Sequence, residues 1–344
     1  MEPVAEPPGE GAARPEAPAV SRRGPAALAL HVLRVYSLVV LLAGSVGFYG
    51  LWGKTSEVFL TGDNLRNIAG SQAVLAMLTL GLLLPMISGN LDLSIGNVAG
   101  LSSIAAAAVF AHAHVPVVAG VLVGIAVGAL AGLLNGLLIT VLKVDSFIVT
   151  LGTASVITGV VNWYTDGLAI ISGIPRSIIT FGGGNLAGVP KSVYVLALVA
   201  LAVYYLVEHT PYGRNLHAIG SNRAAARLVG IRVERSVLLA FVGSGTFAGI
   251  AGVVLLARSG AGNPQVGASF TLTAIAAAFL GAASFRPGRL NVPGTLVAIF
   301  FLAVNITGLT FAGVDNWIND LFTGLSLVLA IALASLLSRE RRTR

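Results

Sequence analysis

Asp92 is an acid set between two strongly apolar stretches, in the run Ser88-Gly-Asn-Leu-Asp-Leu-Ser-Ile-Gly96. Two readings of it follow from side-chain chemistry. In the first, the carboxylate accepts backbone N–H bonds at the start of the next helix and complements that helix's positive end. In the second, a helix breaks near the middle of a bilayer, and Asn90, Asp92, Ser94 and Asn97 line a polar passage. The two are compatible, because capping is what would hold such a break in shape. Thr140, Thr150, Thr153, Ser155 and Asn135 are further polar residues inside apolar stretches or at their ends, and Asn162 and Asn305 are of the same kind. Such groups mostly bond their own helix or a neighbouring one. A minority could face a sugar-sized passage, for which Asn135, Thr150, Thr153 and Asn305 are the candidates.

Other chemistries lack their residues. The chain has no G-x-x-x-x-G-K-[ST] phosphate loop, no His-Glu-x-x-His helix and no Gly-x-Ser-x-Gly elbow. Apart from Asp92, the acids Asp145, Glu208, Asp315 and Asp320 fall near the ends of apolar segments, which argues against a proton-driven pump with ionisable groups along its path. His112-Ala-His114 has no acid or Cys nearby in sequence, so no metal site is assigned to it. The sequon Asn305-Ile-Thr307 lies in an apolar segment and is discounted as a glycosylation site. Trp52, Trp163 and Trp317 lie near segment ends, as interfacial tryptophans do. No catalytic residue and no cofactor is expected.

The elements that would hold these residues are membrane helices. Charged residues make up 10% of the chain, 56% of it is apolar and its mean hydropathy is +0.88. A water-soluble protein of 344 residues could not cover its surface with so little charge. The 42 glycines suit close packing of membrane helices. The absence of Cys excludes disulfides and thiolate chemistry. The net charge of +7 sits at the ends and in loops, which argues for membrane topology rather than nucleic acid.

The fold expected is an all-α membrane protein, a polytopic bundle of about ten transmembrane helices, some of them broken or partial. The segments are 34–52, 67–88, 94–112, 116–142, 147–164, 192–208, 236–257, 271–284, 294–312 and 317–337. Of these, 94–112 and 271–284 are short enough to be partial helices packed inside the protein. Residues 1–26, rich in Pro, Ala, Glu and Gly, read as a disordered cytoplasmic tail. Glu2, Glu6, Glu10 and Glu16 precede any basic residue there, unlike a signal peptide. The membrane domain is 27–338, and 339–344 is a basic tail. With both termini cytoplasmic, only Lys54, Arg66, Arg176, Lys191 and Arg258 of the 21 Lys and Arg fall outside. The sequence thus describes a multi-pass membrane protein in contact with lipid.

Two loops are long. The external one, about 165–191, carries Gly173, Pro175 and Gly182-Gly183-Gly184. The internal one, 209–235, holds Arg214, Arg223, Arg227, Arg232 and Arg235. In it, Ser221 or Asn222 is a good N-cap, 223–229 favours helix and Gly230 suits the position after a helix end. That two-turn helix either rests on lipid headgroups through its arginines or docks on a cytoplasmic partner. The small residues Ala224, Ala225, Ala226 and Gly230 favour docking. A faint internal echo links Leu91-Asp-Leu-Ser-Ile95 with Phe270-Thr-Leu-Thr-Ala274.

The run Thr210-Pro-Tyr-Gly-Arg-Asn-Leu-His-Ala-Ile-Gly-Ser-Asn-Arg-Ala-Ala-Ala-Arg-Leu-Val-Gly-Ile231 resembles the coupling region of ribose-type ABC importer permeases, the monosaccharide and autoinducer-2 class. Gly89-Asn-Leu-Asp-Leu-Ser-Ile-Gly96 resembles that family's Gly-Gly-Ile-Asp-Leu-Ser-Val-Gly element. Gly132-Leu-Leu-Asn-Gly136, with Phe147-Ile-Val-Thr-Leu-Gly152 after it, is similar to its next block. The resemblance spans about 60–335. It implies a passage for a monosaccharide or similar small polar solute, ribose-like above all. It also implies a cytoplasmic ABC ATPase, an extracytoplasmic solute-binding protein and a second permease, identical or paralogous. Gly220, Ser221, Asn222, Ala225, Ala226, Gly230 and Ile231 would then fit a cleft on the ATPase, and 165–191 would meet the binding protein. The chain departs from the family pattern in Phe279-Leu-Gly-Ala-Ala-Ser-Phe-Arg-Pro-Gly-Arg289, where a Gly-Gly-rich stretch is usual, and at Asn90, where a second Gly is usual. A stand-alone secondary transporter of a small polar solute is the alternative, and a membrane-embedded enzyme a third reading.

Overall fold

The computed structural model describes residues 25–113, 115–315 and 317–342. The expected tail over 1–24, His114 of the histidine pair and the last two residues lie outside them. Each of the ten apolar segments becomes helix. α1 (Pro25–Leu51) is opened at Tyr36 by non-helical dihedrals, φ −109° and ψ 18°. After the short α2 (Ser56–Phe59) comes α3 (Gly62–Ile87), whose N-cap Thr61 accepts the Asn64 N–H. α4 (Ile95–Ala113) and α5 (Val117–Thr140) follow, then α6 (Ser146–Thr165), capped by Asp145 accepting from the Phe147 N–H. α7 (Arg176–Gly183) precedes a small antiparallel hairpin of β1 (Asn185–Leu186) and β2 (Val189–Pro190). α8 (Lys191–Tyr204) ends in one π-helical turn, Tyr205–His209. The remainder is α9 (Pro211–Ser221), α10 (Arg223–Leu228), α11 (Val233–Ser259), α12 (Val266–Gly281), α13 (Val292–Phe311) and α14 (Trp317–Arg342).

Among the described residues, seven helices are long and apolar enough to cross a membrane, and Val35–Leu51, Val266–Gly281 and Trp317–Leu329 are shorter apolar ones. The fold is therefore an all-α polytopic bundle. Three expectations shift in detail. Segment 94–112 is an unbroken 19-residue helix, and the break falls just before it, at 88–94. Segment 271–284 starts five residues earlier, at Val266. The loop 209–235 holds two helices, because Thr210 caps α9 by accepting the Gly213 N–H and Pro211 takes the first helical position, where no N–H is needed.

α3 is the axis of the bundle, with 89% of its apolar window buried. α5, α6 and α8 present most of theirs outward, at 28% buried each. Lipid tails are as apolar as Leu, so burial alone does not bind one membrane helix to another, and close backbone approach does. The α5–α11 seam is built that way. A Cβ on Gly132 would lie 2.2 Å from the Phe241 carbonyl oxygen, and one on Gly245 would lie 2.2 Å from that of Gly128.

The basic residues divide between the two ends of this bundle. Lys143, Arg214, Arg223, Arg227, Arg232, Arg235, Arg286 and Arg289 gather at the end that carries α9 and α10. Lys54, Arg66, Arg176, Lys191 and Arg258 lie at the other, with α7 and the hairpin. The glycine seam makes a direct prediction. Gly245→Val overpacks a backbone contact that cannot yield, and should destabilise the detergent-solubilised chain by about 1–3 kcal/mol or more. Exposed Gly152→Val, with nothing within 4 Å of its Cβ position, should leave the thermal unfolding midpoint nearly unchanged.

Candidate functional site

A helix break inside a bilayer frees N–H and C=O groups that have no water to bond, so protein groups must take them. The segment 88–94 meets that demand through hydroxyls from three neighbouring helices. The Leu91 N–H donates to Ser146 Oγ at 3.2 Å and the Leu93 N–H to Thr150 Oγ1 at 3.0 Å, both on α6. Gly96, in the first turn of α4, donates its N–H to Thr271 Oγ1 of α12 at 3.2 Å. The carboxylate of Asp92, buried at 2% exposure, takes one more N–H and two hydroxyls. Its Oδ1 accepts the Ser94 N–H at 3.0 Å and the Ser94 hydroxyl at 2.6 Å, while Oδ2 accepts the Ser244 hydroxyl of α11 at 3.1 Å.

From Asp92 the bonds continue outward with one polarity. Asn135 Nδ2 on α5 donates to Ser94 Oγ at 2.9 Å, and Thr153 Oγ1 on α6 donates to Asn135 Oδ1 at 2.7 Å. Each hydroxyl or amide thus donates toward the carboxylate. At 1.5 Å per residue, Ser244, Asn135 and Thr153 lie roughly 8–16 Å inside the α9/α10 end of their helices. The network is therefore interior to the span, and it ties α5, α6 and α11 to the break.

Of the expected passage residues, Asp92, Ser94, Asn135 and Thr153 are joined in this network, and Thr150 adjoins it. Asn97 sits at its border, donating to Ala154 O at 3.2 Å and to the exposed Thr158 Oγ1 at 2.8 Å. Asn90 stays local, donating to Ser88 Oγ at 2.8 Å. Asn305 is elsewhere, accepting from Ser45 on α1 and donating to Phe301 O in its own helix. Sequence reading missed Ser146, Thr158, Ser244 and Thr271. Thr271 had a signal, since it lies in the echo of the Asp92 motif. The two segments in fact touch, with Gly96 and Gly267 each too close to the other's carbonyl to carry a Cβ.

The second site is the α9–α10 element. Asn222 Oδ1 accepts the Ala225 N–H at 3.0 Å and so starts α10. Gly230, at φ +84°, ends it in the left-handed region that favours glycine, and the Ile231 N–H returns to Ala226 O at 3.0 Å. Arg227 and Glu234 form an ion pair across the turn. Gly220 packs so tightly on the end of α3 that a Cβ there would sit 2.0 Å from Ile87 O. Ala226 is buried among Ile139, Val149, Ile219, Val237 and Phe241, the ends of α5, α6, α9 and α11. Ser221, Asn222, Ala225 and Gly230 are exposed. Beyond the expected residues, Leu228 and Val229 stand 88% and 76% exposed at the tip.

A third junction connects this element with the rest. Glu208, in the π turn above α9, is ion-paired with Arg286 in the α12–α13 loop. In that loop Ser284 Oγ and the Phe285 N–H both donate to Val35 O, at 2.8 and 2.7 Å, where the Tyr36 opening leaves that carbonyl free.

Comparison with known proteins gives the family. The family described as branched-chain amino acid transport system / permease component matches residues 64–331. The ribose import permease protein of Bacillus subtilis (strain 168) is 34% identical over 276 residues, 80% of this chain and 85% of that one. Its counterpart in Escherichia coli (strain K12) is 32% identical over 279 residues, 80% of this chain and 87% of that one. The D-allose transport system permease protein of the same organism is 30% identical over 304 residues, 88% and 92% of the two chains. No solved structure matches the chain.

Asp92→Ala removes three accepted bonds, two local ones from Ser94 and one between helices from Ser244, and a bond of the latter kind is worth about 0.6–1.7 kcal/mol. The substitution should destabilise the purified chain by about 2–4 kcal/mol, with Asp92→Asn, which keeps one carbonyl acceptor, falling in between. Unfolding curves of the three proteins in one detergent check the order. Equal midpoints would mean that the network does not hold the break.

Proposed function

The chain belongs to the branched-chain amino acid transport system / permease component family, and within it to the ribose-type permeases of ABC importers; from that premise we propose that it forms part of a monosaccharide passage driven by an ATPase on a separate chain. It is a transport subunit and does no covalent chemistry itself. Relatives named for ribose and for D-allose support a pentose- or hexose-like solute. The end with α9 and α10 carries most of the basic residues, and by the positive-inside rule we take it as cytoplasmic, both termini included.

The observation that carries the coupling role is the exposed apolar tip of α10. Leu228 and Val229 stand in water on a capped, ion-paired helix whose Ala226 is locked into the protein. Large apolar side chains held out on a rigid base fit a pocket on a partner, here the cytoplasmic ABC ATPase. Small exposed Ala225 and Gly230 let that partner come close. Pressure on the tip would reach α5, α6 and α11 through the cluster around Ala226, and these helices hold the Asp92 network. At the far end, α7 and the hairpin offer a docking face to an extracytoplasmic solute-binding protein.

The passage itself we assign to the border of α6, shared with a second permease copy or paralogue. Gly152, Ser155, Thr158 and Gly159 place small and polar groups on the exposed side of α6, interspersed with exposed Ile148, Leu151 and Val156, whereas the exposed face of α5 at Val118, Leu122, Leu130 and Leu134 is wholly apolar. Polar groups are costly against lipid, so the first face suits water and a partner helix and the second suits lipid.

Two outcomes test these assignments. Leu228→Asp should fold normally, since its side chain touches little, yet weaken assembly with the ATPase about 10-fold or more, the scale of an interface hot spot. Co-purification and ATP-dependent uptake measure it, and unchanged values for both would remove the coupling role. The chain has no Cys of its own, so single cysteines can be probed cleanly. Ser155→Cys should react with a membrane-impermeant, water-soluble thiol reagent in assembled importer, and Leu130→Cys should not. The reverse pattern would place the passage elsewhere.

A further inference from the structure

At the α9/α10 end lies a cavity of about 370 Å³ that neither the Asp92 network nor the α10 tip uses. Its walls include Ile87 at the end of α3, His217, Gly220 and Ser221 on α9, and Gly288 and Arg289 in the α12–α13 loop. Gly288, at φ +81°, turns the loop so that Arg289 borders the space. An arginine and a histidine therefore share one cavity, the first a fixed cation and the second a neutral imidazole N–H donor near neutral pH. His217 is held below the ordinary histidine value first by burial and then by the charge of Arg289, so the two groups sense each other.

The charges in the loop are not treated alike. Arg286 is neutralised by Glu208, and Glu208 also acts on His217 in the opposite sense to Arg289. Arg289 has no acidic partner among the described residues. The Ser221 hydroxyl, on the same wall, makes no hydrogen bond among the described residues, so a second neutral donor is free beside the guanidinium. A guanidinium, an imidazole and a hydroxyl around one space complement a tetrahedral oxyanion, which takes several donors at once. The cavity is far larger than one water, so it has room for an esterified phosphate as well as a bare one.

We propose that this cavity is a binding site for a phosphate-type anion, with Arg289 as the main charge partner and His217 and Ser221 as further donors. The chemistry has two sources, an anionic phospholipid headgroup at the membrane edge or a free cytosolic phosphate. Placing the site on the cytoplasmic side rests on the topology proposed above, whereas the binding itself does not.

The test uses the purified full chain in detergent, without ATPase or sugar, so that it fails or succeeds independently of the transport reading. Dioleoylphosphatidylglycerol, dioleoylglycerol (which lacks the phosphate) and inorganic phosphate are titrated, with native mass spectrometry and the thermal midpoint as readouts. Phosphatidylglycerol should be retained at least about 10-fold more tightly than dioleoylglycerol, the gain expected of one charge-assisted contact pair. Arg289→Gln and His217→Gln should each erase most of that difference, and Arg214→Gln, an exposed arginine outside the cavity, should not. Saturable, Arg289-dependent stabilisation by inorganic phosphate alone identifies a free oxyanion as the ligand. The same dependence with the lipid only identifies a headgroup. If all four proteins bind alike, or none prefers the phosphate-bearing probes, the site does not exist.

Discussion

A peptide group taken out of water in the middle of a bilayer must be bonded by something else, and most of this architecture can be traced to one place where that demand is acute. Between α3 and α4 the chain leaves helical geometry for several residues within the bundle. Ser146, Thr150 and Thr271 accept the exposed N–H groups, and Asp92 collects Ser94 and Ser244. A buried carboxylate is tolerable only because hydroxyl and amide donors converge on it. Ser244 brings α11 to the carboxylate directly, and Asn135 and Thr153 bring α5 and α6 to it through Ser94, so the bonds around the break also fix the mutual position of three spans.

Under the coupling proposed for α10, that arrangement would make a remote input effective. The cluster around Ala226 includes Ile139, one turn from Asn135, Val149, one turn from Thr153, and Phe241, one turn from Ser244. The side chains that seat the α10 element and those that close the Asp92 network thus stand on the same three helices, about one turn apart. Between them the glycine seam of α5 and α11 leaves no slack for one helix to move without the other. A rigid two-ended block of this kind transmits a displacement and does not absorb it. The Glu208–Arg286 pair and the two hydrogen bonds accepted by Val35 O extend the block to α12, α13 and α1.

Much of this was legible in the residues. Composition and segment lengths gave the polytopic bundle, and the pair Ser221/Asn222, of which Asn222 is the cap, together with Gly230 marked both ends of α10, because cap and left-handed positions have strong residue preferences. Asp92 was recognisable because a lone acid between apolar segments needs partners. The partners themselves were harder to see. Ser244 and Ser146 are ordinary serines in helices, and only the packing of α11 and α6 against the break gives them a role. Asn305 looked equivalent to Asn135 in sequence, yet the two face different neighbours, since a polar residue in an apolar helix does not declare which side it is on. Leu228 and Val229 read as unremarkable helix residues until the fold left them exposed. The helix start at Val266 was missed because its first turn, with Gly267 and Ser269, lacks the apolar density by which the span was bounded.

The central claim is that this chain conducts a sugar only as part of an ATP-driven assembly. The direct measurement is uptake of radiolabelled ribose into liposomes that hold the chain alone or together with its cognate ATPase and binding protein. The account predicts accumulation only in the complete assembly and only with ATP on the side that carries α10, with the chain alone inert under proton or sodium gradients. Gradient-driven uptake by the chain alone would contradict it.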